Sequence, residues 1–302
     1  MDKITSLDQM VQHLCDTGLN KRIAVAVAED ENTISALIEA QNKGFATPIL
    51  IGNKTKIEDT ITVENAKPEE FQIVDIPDHS TAAREAVRMV RNDEADILMK
   101  GLIGTDKFLK AVLDKENGLL PPKAVMSYVC ALELPKYDKL LFVSDTAVLP
   151  YPDLKQKIAM VNYTIQMTKK FGIDKPKIAL IGASEKVSDN FHYCADYTQI
   201  CKMANQGQIP NCTIDGPLDI FLACDKESVE IKGVPTPING EADALIFPSL
   251  ESANSFYKGL MLFGGGELAG LIQGTIKPVV VMSRSESQKS KFYCIALSCL
   301  MA

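Results

Sequence analysis

Short apolar runs alternate along the first hundred residues with segments whose apolar positions recur every three or four residues. Arg22-Ile-Ala-Val-Ala-Val-Ala28, Thr47-Pro-Ile-Leu-Ile-Gly52, Phe71-Gln-Ile-Val-Asp-Ile76 and Ala95-Asp-Ile-Leu-Met99 read as strands of the nearly continuous apolar kind that is covered on both faces. Between them, Leu7, Met10, Val11 and Leu14 mark a helix opened by Ser6. Thr33 to Gly44 marks a second helix, ended by its glycine, and Ser80 caps a third through Ala82, Ala86, Met89 and Val90. A polar connection separates Gly52 from Phe71. This β-α-β alternation predicts a parallel sheet with right-handed crossovers.

Pro121-Pro122 and Leu134-Pro135 interrupt the pattern, which restarts with the strand Leu140-Leu-Phe-Val-Ser144 and a long helix from Leu154 to Phe171. A strand from Lys177 to Gly182 and a helix through Tyr193, Tyr197, Ile200 and Met203 follow. Asp215-Gly-Pro-Leu218 reads as a turn and Ala242–Phe247 as the unit's last strand. Gly264 to Gly266 and Gly270 then return the chain to the first unit for a final strand, Pro278 to Met282, and a helix through Phe292–Leu300. The expectation is an α/β protein of two domains, 1–130 plus 272–302 and 131–271, for which 302 residues suffice.

Charge and cysteine content narrow the function. Thirty-two Lys and Arg against 39 Asp and Glu give a net charge of -7 with no basic stripe, which argues against nucleic acid. The start of the chain lacks an apolar signal core, and Glu267 interrupts the most apolar stretch, Gly259 to Ile272, so neither export nor a membrane span is expected. Eight cysteines without a C-x-x-C pair, and only three histidines, point to reduced thiols in the cytoplasm and away from a metal site.

The densest chemistry lies where the strand Pro278–Met282 runs into Ser283-Arg284-Ser285-Glu286-Ser287. Hydroxyls, a guanidinium fork and the start of a following helix suit an anion, although the same serines could simply cap that helix with Arg284 in solvent. A second candidate anion turn is Met99-Lys100-Gly101-Leu-Ile-Gly104-Thr105-Asp106. Its glycines allow close approach, Lys100 supplies charge, and Thr105 or Asp106 can cap; an ordinary turn with Lys100 in solvent is the alternative. It is neither a Walker loop nor G-x-G-x-x-G. Asp145 ends a strand, where it serves a ligand or its own turn, and Asn254 and Lys258, four apart, share a helix face.

Together, Met99–Thr105, Asp215–Leu218, Leu250-Glu-Ser-Ala-Asn-Ser-Phe-Tyr-Lys258 and Pro278–Ser285 resemble the phosphate acetyl/butyryltransferase family over nearly the whole chain, and more closely its phosphate butyryltransferase branch. The resemblance implies two three-layer domains with mainly parallel sheets, similar to isocitrate and isopropylmalate dehydrogenases, with the active site in an interdomain cleft. It implies direct transfer, acyl-CoA plus phosphate giving acyl phosphate plus CoA, in a homodimer or higher homo-oligomer. Coenzyme A is then a substrate, and no metal or other cofactor is required. Ser283 would lie near the thiol sulfur and Arg284 on the phosphoryl group, with Lys100, Gly101, Thr105, Asp145, Asn254, Lys258 and Ser285 binding substrate. Ser290 stands where the acetyl branch has a carboxylate, so a cationic pocket rather than a general base is expected to favour the CoA thiolate, and Glu286 is expected to pair with Lys289 or Lys291. Leu149 and Phe221 depart from the family pattern and leave open a CoA-binding sensor without turnover. A metal- and NAD-dependent decarboxylating dehydrogenase is the other alternative, which would need a carboxylate cluster.

Overall fold

A computed structural model describes residues 3–282 and 286–302, and the chain divides into two compact units. The first unit comprises Leu7–Met126 and Leu268–Ala302; the second comprises Ser127–Glu267 with residues 3–6. The motif residues Ser283, Arg284 and Ser285 lie outside the described residues.

In the first unit, α1 (Leu7–Thr17) buries Leu7, Met10, Val11 and Leu14, the stripe that the sequence predicts. β1 (Lys21–Ala26) leads to α2 (Glu31–Asn42), which starts ahead of Thr33 because the Asp30 carboxylate accepts the Thr33 amide as N-cap. After β2 (Ala46–Gly52), α3 (Lys54–Val63) occupies what reads as a polar connection. Only its Ile57 and Ile61 are buried, too narrow a stripe to show as a helical period. β3 (Gln72–Asp75) precedes α4 (His79–Arg91), capped by Asp78 rather than Ser80. β4 (Ile97–Lys100) then feeds α5 (Thr105–Val112), whose cap position is Gly104; neither Thr105 nor Asp106 provides a side-chain cap.

The second unit opens with β5 (Ser127–Glu133), a buried strand inside the region that its flanking prolines make look like a break. β6 (Leu141–Ser144), α6 (Leu154–Lys170), β7 (Lys177–Ile181) and α7 (Tyr193–Asn205) follow, with His192 exposed just before α7. Asp215-Gly-Pro-Leu218 is not a turn but the end of β8 (Thr213–Leu218). Gly216 makes this possible, because a Cβ there would stand 2.6 Å from the Leu180 carbonyl oxygen on β7. Two short helices, α8 (Ile220–Cys224) and α9 (Lys226–Lys232), lead to β9 (Ala244–Ile246) and α10 (Leu250–Gly264). This sheet runs β5-β6-β9-β7-β8, parallel except between β5 and β6.

The chain completes the first unit with β10 (Glu267–Gln273), β11 (Val279–Val280) and α11 (Gln288–Met301). Its sheet order is β3-β2-β1-β4-β11-β10, parallel except between β10 and β11. Consecutive buried residues along β1, β2 and β4 mean that both faces of this sheet are covered. Helix α11 is buried from Ser290 to Leu300; Phe292 meets Phe45 at 5.7 Å between ring centroids, and the Tyr293 hydroxyl donates to Asp8 at 2.6 Å. The eight cysteines are free thiols. No described helix is long and apolar enough to cross a membrane.

Candidate functional site

Strands β1, β4 and β11 are parallel, so their carboxyl ends lie on one edge of the first unit's sheet, where open α/β sheets take ligands. The ladder continues past β4: the Gly101 amide donates to Ala26 O at 2.9 Å and the Leu102 amide to Val27 O at 2.7 Å. Gly101 sits so close to β1 that a Cβ would stand 2.2 Å from Val27 O, which is why the turn needs glycine. Val27 itself has a φ of +60°, a left-handed conformation that costs a β-branched residue ~1–3 kcal/mol. Its carbonyl accepts from both Leu102 and Glu29, and these two bonds hold the strained turn.

This turn borders a cavity of about 150 Å³ walled by Asp30, Thr33, Lys100, Gly101, Met282 and Lys291, among others. Lys100 is not in solvent: it is 7% exposed, and its Nζ donates to Gly101 O at 3.2 Å. Lys291, from the first turn of α11, is 5% exposed and pairs with Asp30 at 3.3 Å. Two ammonium groups and one carboxylate thus reach the wall, a balance that favours an anion inside. Met282 is the last described residue before the Ser283-Arg284-Ser285 motif, so the cavity lies against the strand end that leads into it. Thr105 is exposed at the start of α5. Ser287 caps α11, accepting from the Ser290 amide at 3.0 Å. Lys291 pairs with Asp30, and Lys289 lies 5.5 Å over the Tyr293 ring. A larger groove of about 810 Å³ between α4 and α5 is lined by Arg84, Lys107 and Lys110, but these cations are exposed; its Arg88 is held between Glu85 and Glu94.

In the second unit, Asp145 follows β6 and is 1% exposed. Oδ2 accepts from Ser127 Oγ at 2.9 Å and the Tyr128 amide at 3.0 Å, and Oδ1 accepts from the Ala147 and Val148 amides at 2.8 Å each. Burial raises its pKa above the ordinary carboxylate value, against the opposing pull of those four donors. The carboxylate therefore ties its own turn. That turn presents the Thr146 carbonyl to Asn254 Nδ2 at 2.9 Å, and Lys258, one turn further along α10, is exposed. Asp215 is likewise engaged, accepting from Thr236 Oγ1 at 2.6 Å and the Gly216 amide at 2.9 Å. The structure thus gathers Lys100 and Gly101 at one cavity and Asp145 with Asn254 at one turn. It adds Asp30, which sequence reasoning passed over, and brings Lys291, expected only as an ion-pair partner of Glu286, to the cavity wall. Asp30 stands three residues before Thr33, the spacing of an N-cap, and nothing in local spacing marks Lys291. Among the described residues no group of three or more His, Cys, Asp or Glu could hold a metal ion.

The model of the family described as Phosphate acetyl/butaryl transferase matches residues 6–85 and 79–299. A phosphate butyryltransferase of Clostridium beijerinckii is 38% identical over 297 residues, 98% of each chain. Among solved structures, a branched-chain phosphotransacylase from Enterococcus faecalis V583 superposes with a TM-score of 0.82 at 28% identity, covering 93% of this chain and 98% of that one. A 4-hydroxythreonine-4-phosphate dehydrogenase from Klebsiella pneumoniae shares the fold at 11% identity, with a TM-score of 0.57 over 93% of this chain and 99% of that one.

Proposed function

The chain belongs to the phosphate acetyl/butaryl transferase family, and on that premise we propose that it moves a short acyl group between coenzyme A and inorganic phosphate. It is an acyltransferase, and the observation that carries this reading is the match to a phosphate butyryltransferase along 98% of both chains. In the reaction, a phosphate oxygen attacks the thioester carbonyl carbon. The new C–O bond forms, the C–S bond breaks with its electron pair on sulfur, and the proton given up by phosphate ends on the thiol. Acyl phosphate and free CoA are the products. The chemistry needs an anion held beside a carbonyl and donors for the developing oxyanion, which are groups that side chains alone can supply.

Arg284 is assigned to the phosphoryl group, Ser283 to the sulfur, and Ser285 to substrate beside them. Lys100, Gly101 and Thr105 serve the anion in the first unit, a role supported by the burial of Lys100 at the cavity wall. Asn254 and Lys258 bind substrate in the second unit, and Asp145 acts through the turn that sets Asn254. Coenzyme A is a substrate, with no further cofactor. Butyryl or a branched acyl chain is favoured by what the similar proteins are named for. The likeness to a hydroxythreonine-phosphate dehydrogenase supports extending the fold reading to the isocitrate and isopropylmalate dehydrogenase type. A cytoplasmic homodimer completes the reading; Leu262 and Phe263, 76% and 87% exposed at the end of α10, supply apolar surface for a second copy.

The test is phosphate-dependent release of free thiol from butyryl-CoA, a branched acyl-CoA and acetyl-CoA. No release from any of them would sink the reading. For the roles, Arg284→Ala is expected to lose roughly 10²-fold or more in kcat/KM through lost charge stabilisation. Glu286→Gln is expected to lose less than about tenfold, since loss of a general base costs ~10²–10⁴-fold. The reverse pattern would make Glu286 the base.

A further inference from the structure

The geometry points to Lys291 as a phosphate-binding residue, its ammonium group sharing with Lys100 a cavity for the phosphoryl dianion while Asp30 holds Lys291 in place. This assignment rests on the acyl-transfer reading. Lys291 stands on α11 four residues after the Ser287 cap, so the helix turns its side chain back over the strand ends. The structure leaves only 5% of it exposed, which is rare for lysine unless its charge is answered. Asp30 answers it at 3.3 Å, in a long contact from a carboxylate that also accepts the Thr33 amide as the cap of α2. That leaves ammonium N–H capacity directed at the cavity wall.

Size and composition select the occupant. About 150 Å³ is the volume that elsewhere holds a benzene-sized guest, enough for a five-heavy-atom oxyanion and too little for adenosine or the pantetheine arm. Inorganic phosphate and the phosphates of coenzyme A share this chemistry. The small volume favours inorganic phosphate, or the phosphoryl end of acyl phosphate.

The experiment measures KM for phosphate and for butyryl-CoA separately, and phosphate binding to the resting protein by 31P NMR titration at constant ionic strength. Lys291→Met is expected to raise the phosphate KM about tenfold or more, and Lys291→Arg to recover most of that loss, with the butyryl-CoA KM within about twofold throughout. Because Lys291 is buried, Asn32→Asp provides a second arm that does not load the core. Asn32 is exposed on the cavity rim, and a carboxylate there should raise the phosphate KM about three- to fivefold. Phosphate KM within twofold of the parent in both variants overturns the assignment while leaving acyl transfer intact, and so does a rise confined to butyryl-CoA. If no acyl transfer occurs at all, the reading of the previous subsection falls; phosphate binding that is lost in Lys291→Met would still establish the anion site.

Discussion

After β4 the chain turns through Gly101 and keeps the Lys100 head group at a cavity wall, whereas after β6 it turns through Asp145 and commits a carboxylate to its own amides. Both turns follow a buried strand and both carry a charged side chain, so the sequence presents them as equals. Hydrogen-bonding capacity separates them. An ammonium has only donors and cannot answer the N–H groups that a turn exposes, while a carboxylate has about four acceptor sites, and here four donors occupy them. A cation buried at a strand end is therefore the better marker of an anionic ligand. A buried carboxylate in the same place is as readily an internal fastener.

The most severe way to break the first turn is Gly101→Ala. Its new methyl group would meet the Val27 backbone at 2.2 Å, so β1 and β4 must separate, and the expected cost is ~3 kcal/mol or more, read as a lower urea midpoint. A stability within 1 kcal/mol of the parent would mean that the turn relaxes freely. In the second turn, Asp145→Asn places an amide where N–H donors converge and should cost ~1–3 kcal/mol. Its deficit should also depend on pH. Because the folded-state pKa of Asp145 is raised, its titration favours folding below the unfolded carboxylate value, and that contribution fades as pH rises through the folded value. Urea titrations should therefore show the deficit of Asp145→Asn widening on acidification from neutral pH. A narrowing deficit would mean that the four hydrogen bonds outweigh burial. The smallest effect belongs to Lys258→Ala, expected within ~0.5 kcal/mol of the parent because the side chain is exposed. A fall in kcat/KM at unchanged stability would then place Lys258 on substrate, and unchanged kinetics would remove it from the site.

Strands β1 to β4 and helices α1, α2 and α6 were legible because each buries a stripe or run that local spacing reveals. The elements that were missed are decided by distant neighbours. α3 buries two residues against the rest of its unit. β5 lies among prolines that signal a break, and the Gly-Pro of β8 is a strand only because Gly216 can approach Leu180 closely. The same division holds at the site. Lys100 and Gly101, which line the cavity, stand side by side in one stretch of sequence, but the pairing of Lys291 with Asp30 joins positions 261 residues apart. No local pattern announces such a contact.

The connectivity of the first unit also fixes the order in which it can be built. β4 lies between β1 and β11, yet β11 and α11 follow the whole second unit in the chain. During synthesis at roughly 5–20 residues per second, the stretch from Ser127 to Glu267 takes on the order of 10 s to emerge, and for that interval β4 is an open edge. The second unit is continuous apart from its few N-terminal residues and can close while it waits. The strand that seals the nascent sheet, and the helix whose Lys291 meets Asp30, arrive last, so the cavity walled by Lys100 and Lys291 exists only in a chain whose translation has passed α11.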